Sequence, residues 1–280
     1  MTALLTNLGF DLTTHAGIFW FSVAWTSFMV TVIWVIGLAY EGHHGMMDAY
    51  YGYGFAISGW IAYYFSGATS ATATAILVIA SLHSCRLGFY LSRRWYGYRK
   101  KGTGDQRYMG FVPRFSPGYW WKSFFIVLQP QTAMITLGSL ASSMGIMANA
   151  TGNAPLNVFS CVGILIFGVG FYYETVADGQ LQSFKADPVN KGRYLNTGVW
   201  TYTRHPNYFG NVVVWWGIYI VAVAGNPSCW WIVIGPIVNT ILLTGVVGRA
   251  FQDKFMGSRP EYQELMSKTN SFLPIPPKGR

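Results

Sequence analysis

The stretch Arg204-His205-Pro206-Asn207-Tyr208-Phe209-Gly210-Asn211-Val212-Val213-Val214-Trp215-Trp216-Gly217-Ile218-Tyr219-Ile220-Val221-Ala222-Val223-Ala224 decides the class of fold. Its first residues are polar and include an arginine, a histidine and an asparagine; from Val212 onward it is apolar. The residues just before it, from Gly192, add Arg193, Tyr194 and Tyr202. An apolar run of this length matches the ~20 residues that cross a hydrocarbon core. Ionisable groups crowded against the mouth of such a span are costly to place there, so they point to a site holding a polar ligand at the bilayer surface.

Working outward from that run, six more apolar segments can be read. The seven are Ala16–Tyr40, Asp48–Ser66, Ala71–Leu91, Tyr119–Met147, Leu156–Val176, Tyr208–Ala224 and Ser228–Gly248. Of the 280 residues, 52% are hydrophobic, 18% aromatic and 10% charged, against about 25% charged in soluble domains. The expectation is an all-α, polytopic transmembrane bundle of about seven spans, forming one domain over residues 1–280. Tyrosine and tryptophan fit aromatic belts at the two interfaces.

The net charge of +9 could point to a nucleic-acid partner, but the placement of the charges reads as a topology signal. The N-terminus and the loops Gly67–Ser70, Ala148–Pro155 and Gly225–Pro227 hold no lysine or arginine, and Asp11 is their only acid. All 19 lysines and arginines fall on the other side or in span ends facing it. The positive-inside rule then places loops Glu41–Met47, Ser92–Gly118 and Ala177–Asn207 and the C-terminus in the cytoplasm or an organelle-matrix equivalent. The first basic residue is Arg86, so neither a signal-peptide n-region nor a transit peptide is expected. Cys85, Cys161 and Cys229 read as small packing residues without disulfide or metal roles. The sequon Asn149-Ala150-Thr151 is expected to stay unmodified because it sits so near the membrane.

Two polar segments carry chemistry. The loop from Arg93 to Tyr108 is rich in arginine and lysine and contains Gly102 and Gly104; it reads either as a phosphate-binding loop or as an ordinary cytoplasmic basic loop. The end of the fifth run carries Glu174, Asp178 and Lys185 at spacings of four and seven, which share one face of a continuing helix. Such a carboxylate can accept from ribose hydroxyls and such a lysine can meet a phosphate; the same residues equally read as a solvated helix end.

The residues Glu174 through Asp178, Phe184-Lys185-Ala186-Asp187-Pro188, Gly198 through Gly210 and Trp215-Trp216-Gly217 resemble the steroid 5-alpha-reductase-like membrane reductases, in particular their bacterial-type branch. Met47-Asp48, Gly52-x-Gly54-Phe55, Gly102-x-Gly104-Asp105, Arg259-Pro260-x-Tyr262 and Phe272-Leu273-Pro274 extend the likeness in order along most of the chain. The resemblance implies a membrane enzyme that uses NADPH to reduce a conjugated carbon–carbon double bond in a lipidic substrate, steroid-like or acyl. It implies cofactor contacts from Glu174, Asp178, Lys185, Tyr202, Arg204, His205, Asn207, Tyr208, Arg249 and Asp253, with Asp48 and Tyr90 as proton donors to the developing oxyanion and no metal. Tyr50 and Tyr51 are rival donors. Relatives carry acids where Asn211 and Gln252 stand here. The alternatives are a membrane methyltransferase of the isoprenylcysteine or phospholipid type, and a non-catalytic subunit of a larger membrane complex. The expected partners are the lipidic substrate and membrane lipids, not nucleic acid.

Overall fold

A computed structural model of the chain describes residues 9–152, 154–246, 253, 256, 257 and 259–277. Every regular element among the described residues is helical. Helix α1 (His15–Tyr40) is capped by Thr14, whose side chain accepts from the Gly17 N–H. It is followed by α2 (Met47–Phe65) and by α3 (Ala71–Lys100), capped by Ser70. A short α4 (Gln106–Arg114) leads to α5 (Tyr119–Gly138), which bends by 42° into α6 (Leu140–Ala148). Helix α7 (Val158–Ala186) starts at a reciprocal capping box between Asn157 and Ser160. Helices α8 (Pro206–Gly225) and α9 (Pro227–Gly245) follow, and α10 (Pro260–Lys268) lies in the tail.

All seven expected apolar segments are thus helices. Five of them (α1, α3, α7, α8 and α9) are each long and apolar enough to cross a membrane, and the bent α5–α6 pair makes a sixth. Large apolar side chains such as Phe28, Val78, Leu82, Leu165 and Ile241 point outward, as a lipid solvent requires. The chain is an integral, multi-pass membrane protein. The expected count of about seven is reached only by adding α2, which is not among the helices that qualify by length and apolarity. The reason is composition: Asp48, Ser58 and the glycines and tyrosines spread along α2 lower its apolarity, while Gly52, Gly54, Ala56, Ser58, Gly59 and Ala62 are buried against the bundle. A β-carbon on Gly52 would collide with the Gly88 backbone of α3, the close approach that small residues permit.

A second close seam joins α7 to α8. Gly163 and Gly170 on one helix meet Gly217 and Gly210 on the other. A β-carbon on Gly170 would lie 2.6 Å from the Gly210 carbonyl oxygen, and one on Gly217 would lie 2.5 Å from Phe167 N. Within α5, residues Phe124–Leu128 form a π turn just before Pro130, whose ring cannot accept a normal α turn ahead of it. Helices α3 and α7 run beyond their apolar runs, to Lys100 and Ala186. Arg99, Lys100 and Lys185 in their last turns suit the negative end of a helix dipole.

The uncharged loops gather at one end of the bundle. Ser70 Oγ donates to the Asn149 carbonyl at 2.5 Å, Thr69 N to the Ala150 carbonyl at 3.0 Å, and Asn226 Nδ2 to the Ala148 carbonyl at 2.7 Å. Asn149 of the sequon is buried, and its amide donates to the Gly145 and Ala222 carbonyls at 2.9 and 3.0 Å. Cys229 is buried, but Cys85 and Cys161 are exposed; this corrects the expectation that all three serve packing, because the latter two fall on outward faces of α3 and α7. Gln252 and the last two residues of the seventh expected span lie outside the described residues.

Candidate functional site

Ionisable groups concentrate at the other end of the bundle, in three networks. His83 and Arg86 are three residues apart on α3, and Glu174 and Asp178 are four apart on α7, so each pair projects from one face. His83 Nε2 pairs with Glu174 Oε2 at 2.8 Å, and Arg86 Nη2 donates to Asp178 Oδ2 at 2.7 Å. Arg86 Nη1 stands 3.1 Å from Glu174 Oε1 without a directed hydrogen bond among the described residues. Helix α8 begins with Pro206, which suits a first turn because its missing N–H would be unpaired there anyway. The next residue, Asn207, donates to Asp178 Oδ1 at 3.2 Å. One turn on, Asn211 donates to Glu174 Oε1 at 3.1 Å and accepts from Asn239 of α9 at 3.0 Å. His83, Glu174 and Asp178 are all buried. A buried arrangement of two carboxylates, one guanidinium and one imidazole is tolerable only because each charge has a partner.

The second network anchors the tail. Asp253 accepts from Arg204 Nη2 at 2.8 Å, from Tyr262 Oη at 2.5 Å and from Ser271 Oγ at 2.8 Å, and pairs with His205 Nε2 at 3.1 Å. Burial alone would raise this carboxyl, but the hydrogen bonds from His205, Arg204, Tyr262 and Ser271 hold it far below the usual carboxylate range. Arg204 also donates to the Thr269 carbonyl at 2.5 Å, and its backbone N–H to the Asn270 carbonyl at 3.0 Å. The tail therefore closes over the start of α8, where the His205 and Tyr208 rings stack with centroids 5.4 Å apart. A cavity of about 210 Å³ lies between Arg204 and residues 266–271.

The third network centres on Asp48. Arg94 and Arg107 both donate to Oδ2, and Tyr108 Oη donates to Oδ1 at 2.8 Å. Burial, then the nearby Asp48 charge, hold the Tyr108 phenol well above its ordinary range, so it remains a donor. A second cavity, of about 260 Å³, lies alongside. Both cavities fall below the ~300–1,000 Å³ typical of ligand pockets.

The residues read from sequence are thus distributed. Glu174, Asp178 and Asn207 belong to the first network, and Arg204, His205 and Asp253 to the second, with Tyr208 beside them. Tyr90 lies below Arg86, whose guanidinium carbon is 5.9 Å from the ring centroid. Lys185 and Tyr202 are exposed, Lys185 within reach of the Arg94 and Asp105 charges. Asp48 stands in the separate third network as an acceptor of three donors, which leaves its oxygens little room to deliver a proton. Arg249 lies outside the described residues. Sequence reading missed His83 and Arg86 as site residues, along with Asn239, Tyr108 and Ser271. A histidine and an arginine three apart inside an apolar run were the available signal.

A family model described as "Protein of unknown function (DUF1295)" matches residues 20–269. A protein named "Probable O-methyltransferase ustE", from Ustilaginoidea virens, is 34% identical over 85 residues, which is 30% of this chain and 28% of that protein. This chain therefore aligns with little more than a quarter of the length of that relative. No solved structure matches.

Proposed function

The chain belongs to the DUF1295 family, and from that premise we propose that it is a membrane enzyme that binds a nucleotide cofactor at its charged end. We take the cofactor to be NADPH and the reaction to be reduction of a conjugated double bond in a lipidic substrate. The observation that carries this reading is the part-buried meeting of Asp178, Asn207 and Arg86 at the first turn of α8. The donor set fits the group. Asn207 offers an amide for a carboxamide, Asp178 a carboxylate for ribose hydroxyls, and Arg86 an Nη1 without a directed hydrogen bond. Exposed Lys185 and the arginine-rich loop after α3 offer charge for phosphates. When bound, NADPH would supply the hydride. The proton then falls to Tyr90, next to Arg86, because Asp48 is engaged with Arg94, Arg107 and Tyr108. Arg204, His205 and Asp253 would hold the tail closed and keep water from the site.

Methyl transfer is the second reading, favoured by the likeness to the probable O-methyltransferase. Calorimetry of the purified chain with NADPH and with S-adenosylmethionine decides between them. We expect NADPH to bind, Asn207→Ala to weaken it by about 5- to 150-fold through the loss of one buried hydrogen bond, and NADPH to be consumed with a lipidic enone. Binding of S-adenosylmethionine alone would replace the reductase reading with the methyltransferase one. Binding of neither, with stoichiometric proteins co-purifying, would identify a non-catalytic subunit.

A further inference from the structure

One amide sits at the middle of the membrane with half of its hydrogen-bonding capacity unused. Gln129 of α5 is half-buried. Its Oε1 accepts from Ser27 Oγ of α1 at 3.2 Å and from Thr132 Oγ1 at 3.3 Å, which fills both lone pairs. Its Nε2 has no hydrogen-bond partner among the described residues and is not enclosed by them. Turning the amide round would give the two hydroxyls to the nitrogen and leave the oxygen over, so one end is unpaired in either orientation. Gln129 belongs to the outer face of the bundle. Phe125, Ile126 and Ala133 are four and three residues before it and four after it, and all are exposed; residues at those spacings share a helix face.

Depth excludes the ordinary partners of such a group. Ser27, bonded to Gln129, is at the centre of the 26-residue α1, with roughly 18–20 Å of helix on either side at 1.5 Å per residue. Lipid headgroups begin about 15 Å from the midplane of a ~30 Å hydrocarbon core, so neither they nor bulk water reach the amide. An unsatisfied polar group in hydrocarbon is costly, and only a polar group on another membrane-embedded segment at the same depth can meet it. A second copy of this chain supplies one by symmetry, because a two-fold axis along the membrane normal brings each residue to the same depth in both copies. Ser27 Oγ donates to Gln129 of its own chain and keeps acceptor capacity for the amide N–H of the other copy. Helices α1 and α5 run side by side here, with Trp34 Nε1 donating to the Trp120 carbonyl at 2.8 Å. One turn from Ser27 and from Gln129 stand Ala24 and Ala133, and such small residues let membrane helices approach closely.

We propose that the outer face of α1 and α5 is a homodimer interface, centred on two reciprocal hydrogen bonds between Gln129 of one copy and Ser27 of the other. The inference is independent of the cofactor and substrate readings, since none of these residues belongs to the three ionic networks.

The test uses the full chain with the exposed Cys85 and Cys161 changed to serine and a fluorophore at Thr103→Cys. It is reconstituted in liposomes over a range of protein-to-lipid ratios, and association is read by energy transfer between copies. The chain should dimerise reversibly. Gln129→Leu, similar in size and apolar, should weaken the dimer by about tenfold, the scale of two hydrogen bonds between membrane helices, and its thermal unfolding reports whether the fold survives. Ala133→Trp keeps the amide and adds bulk beside it, and should weaken the dimer as well. Val162→Trp, on the exposed face of α7, should change nothing. In the unlabelled chain, Ala24→Cys should be joined copy to copy by a bifunctional thiol reagent and Val162→Cys should not. A chain that stays monomeric at every ratio would overturn the proposal. So would a dimer that tolerates both Gln129→Leu and Ala133→Trp, cross-linking through Val162→Cys in place of Ala24→Cys, or a different membrane protein held through Gln129 without self-association.

Discussion

At the scale of single residues, Arg86 carries the heaviest burden. It faces Glu174 at 3.1 Å and Asp178 at 2.7 Å. Arg86→Leu would leave two buried carboxylates four residues apart with only His83 and asparagine amides as partners. Removing one member of a buried ion pair costs about 3–5 kcal/mol, so this variant should unfold at markedly lower temperature in detergent, while Arg86→Lys should recover part of the loss. An unchanged melting temperature in Arg86→Leu would show that the pairs add little. Asp253 gives a pH-dependent counterpart. Its carboxyl is depressed in the folded chain by its four partners, so its contribution is fully present above the unfolded aspartate value of about 3.9 and is lost as pH falls through the folded value. His44 acts in the same direction. Burial, then the His43 charge, bring it down to about 4, so its neutral form is favoured on folding. Stability from this group is present above about 6.5 and declines as pH falls toward 4. Protease digestion of the tail should accordingly quicken on acidification, and Asp253→Asn should digest quickly even at neutral pH.

At the scale of elements, the α7–α8 seam decides whether the first network can assemble. Glu174 sits where the backbones come closest, since a β-carbon on Gly210 would overlap its backbone nitrogen. Gly210→Ala should therefore push the helices apart and cost about 1–3 kcal/mol, as overpacking does. Gly168, on the same helix as Gly170, has open space where a β-carbon would go, with nothing within 4 Å of it. Gly168→Ala should be neutral or stabilising by up to about 1 kcal/mol, because alanine is the better helix former. Thermal unfolding of the two variants side by side checks the opposite signs. If Gly210→Ala were as stable as Gly168→Ala, the seam would not be tight in the folded protein.

At the scale of the whole molecule, the two ends of the bundle differ in kind. One end ties uncharged loops together through serine, threonine and asparagine; the other holds the three ionic networks. From the positive-inside rule we propose that the second faces the cytoplasm or its equivalent. Cysteines introduced at Thr69 and Thr103 should then be labelled by a membrane-impermeant reagent from opposite faces, Thr103→Cys from the inside. Labelling of both from one face would require a different number of crossings.

How much of this was legible in the sequence depends on the range of the interaction. The spans and the polar mouth of α8 are local properties. Length and apolarity decide whether a segment can cross a bilayer, so composition and charge placement alone determined a multi-pass helical bundle with its ionisable groups at one end. Spacing likewise put Glu174 and Asp178 on one face. The partners across helices were not legible, because they join residues far apart in the chain: His83 with Glu174, Arg204 with Asp253, Asp48 with Tyr108. Asp48 illustrates the cost. In sequence it is an acid near a span end and reads as a proton donor; in the fold, α3 and α4 deliver two guanidinium groups and a phenol to it. Asn211 reads as a lost acid and Asn239 as nothing in particular, yet tertiary contact makes them the links that carry the first network from α7 to α9. Sequence periodicity records which way a side chain points, and only the packing of one helix against another decides what it meets there.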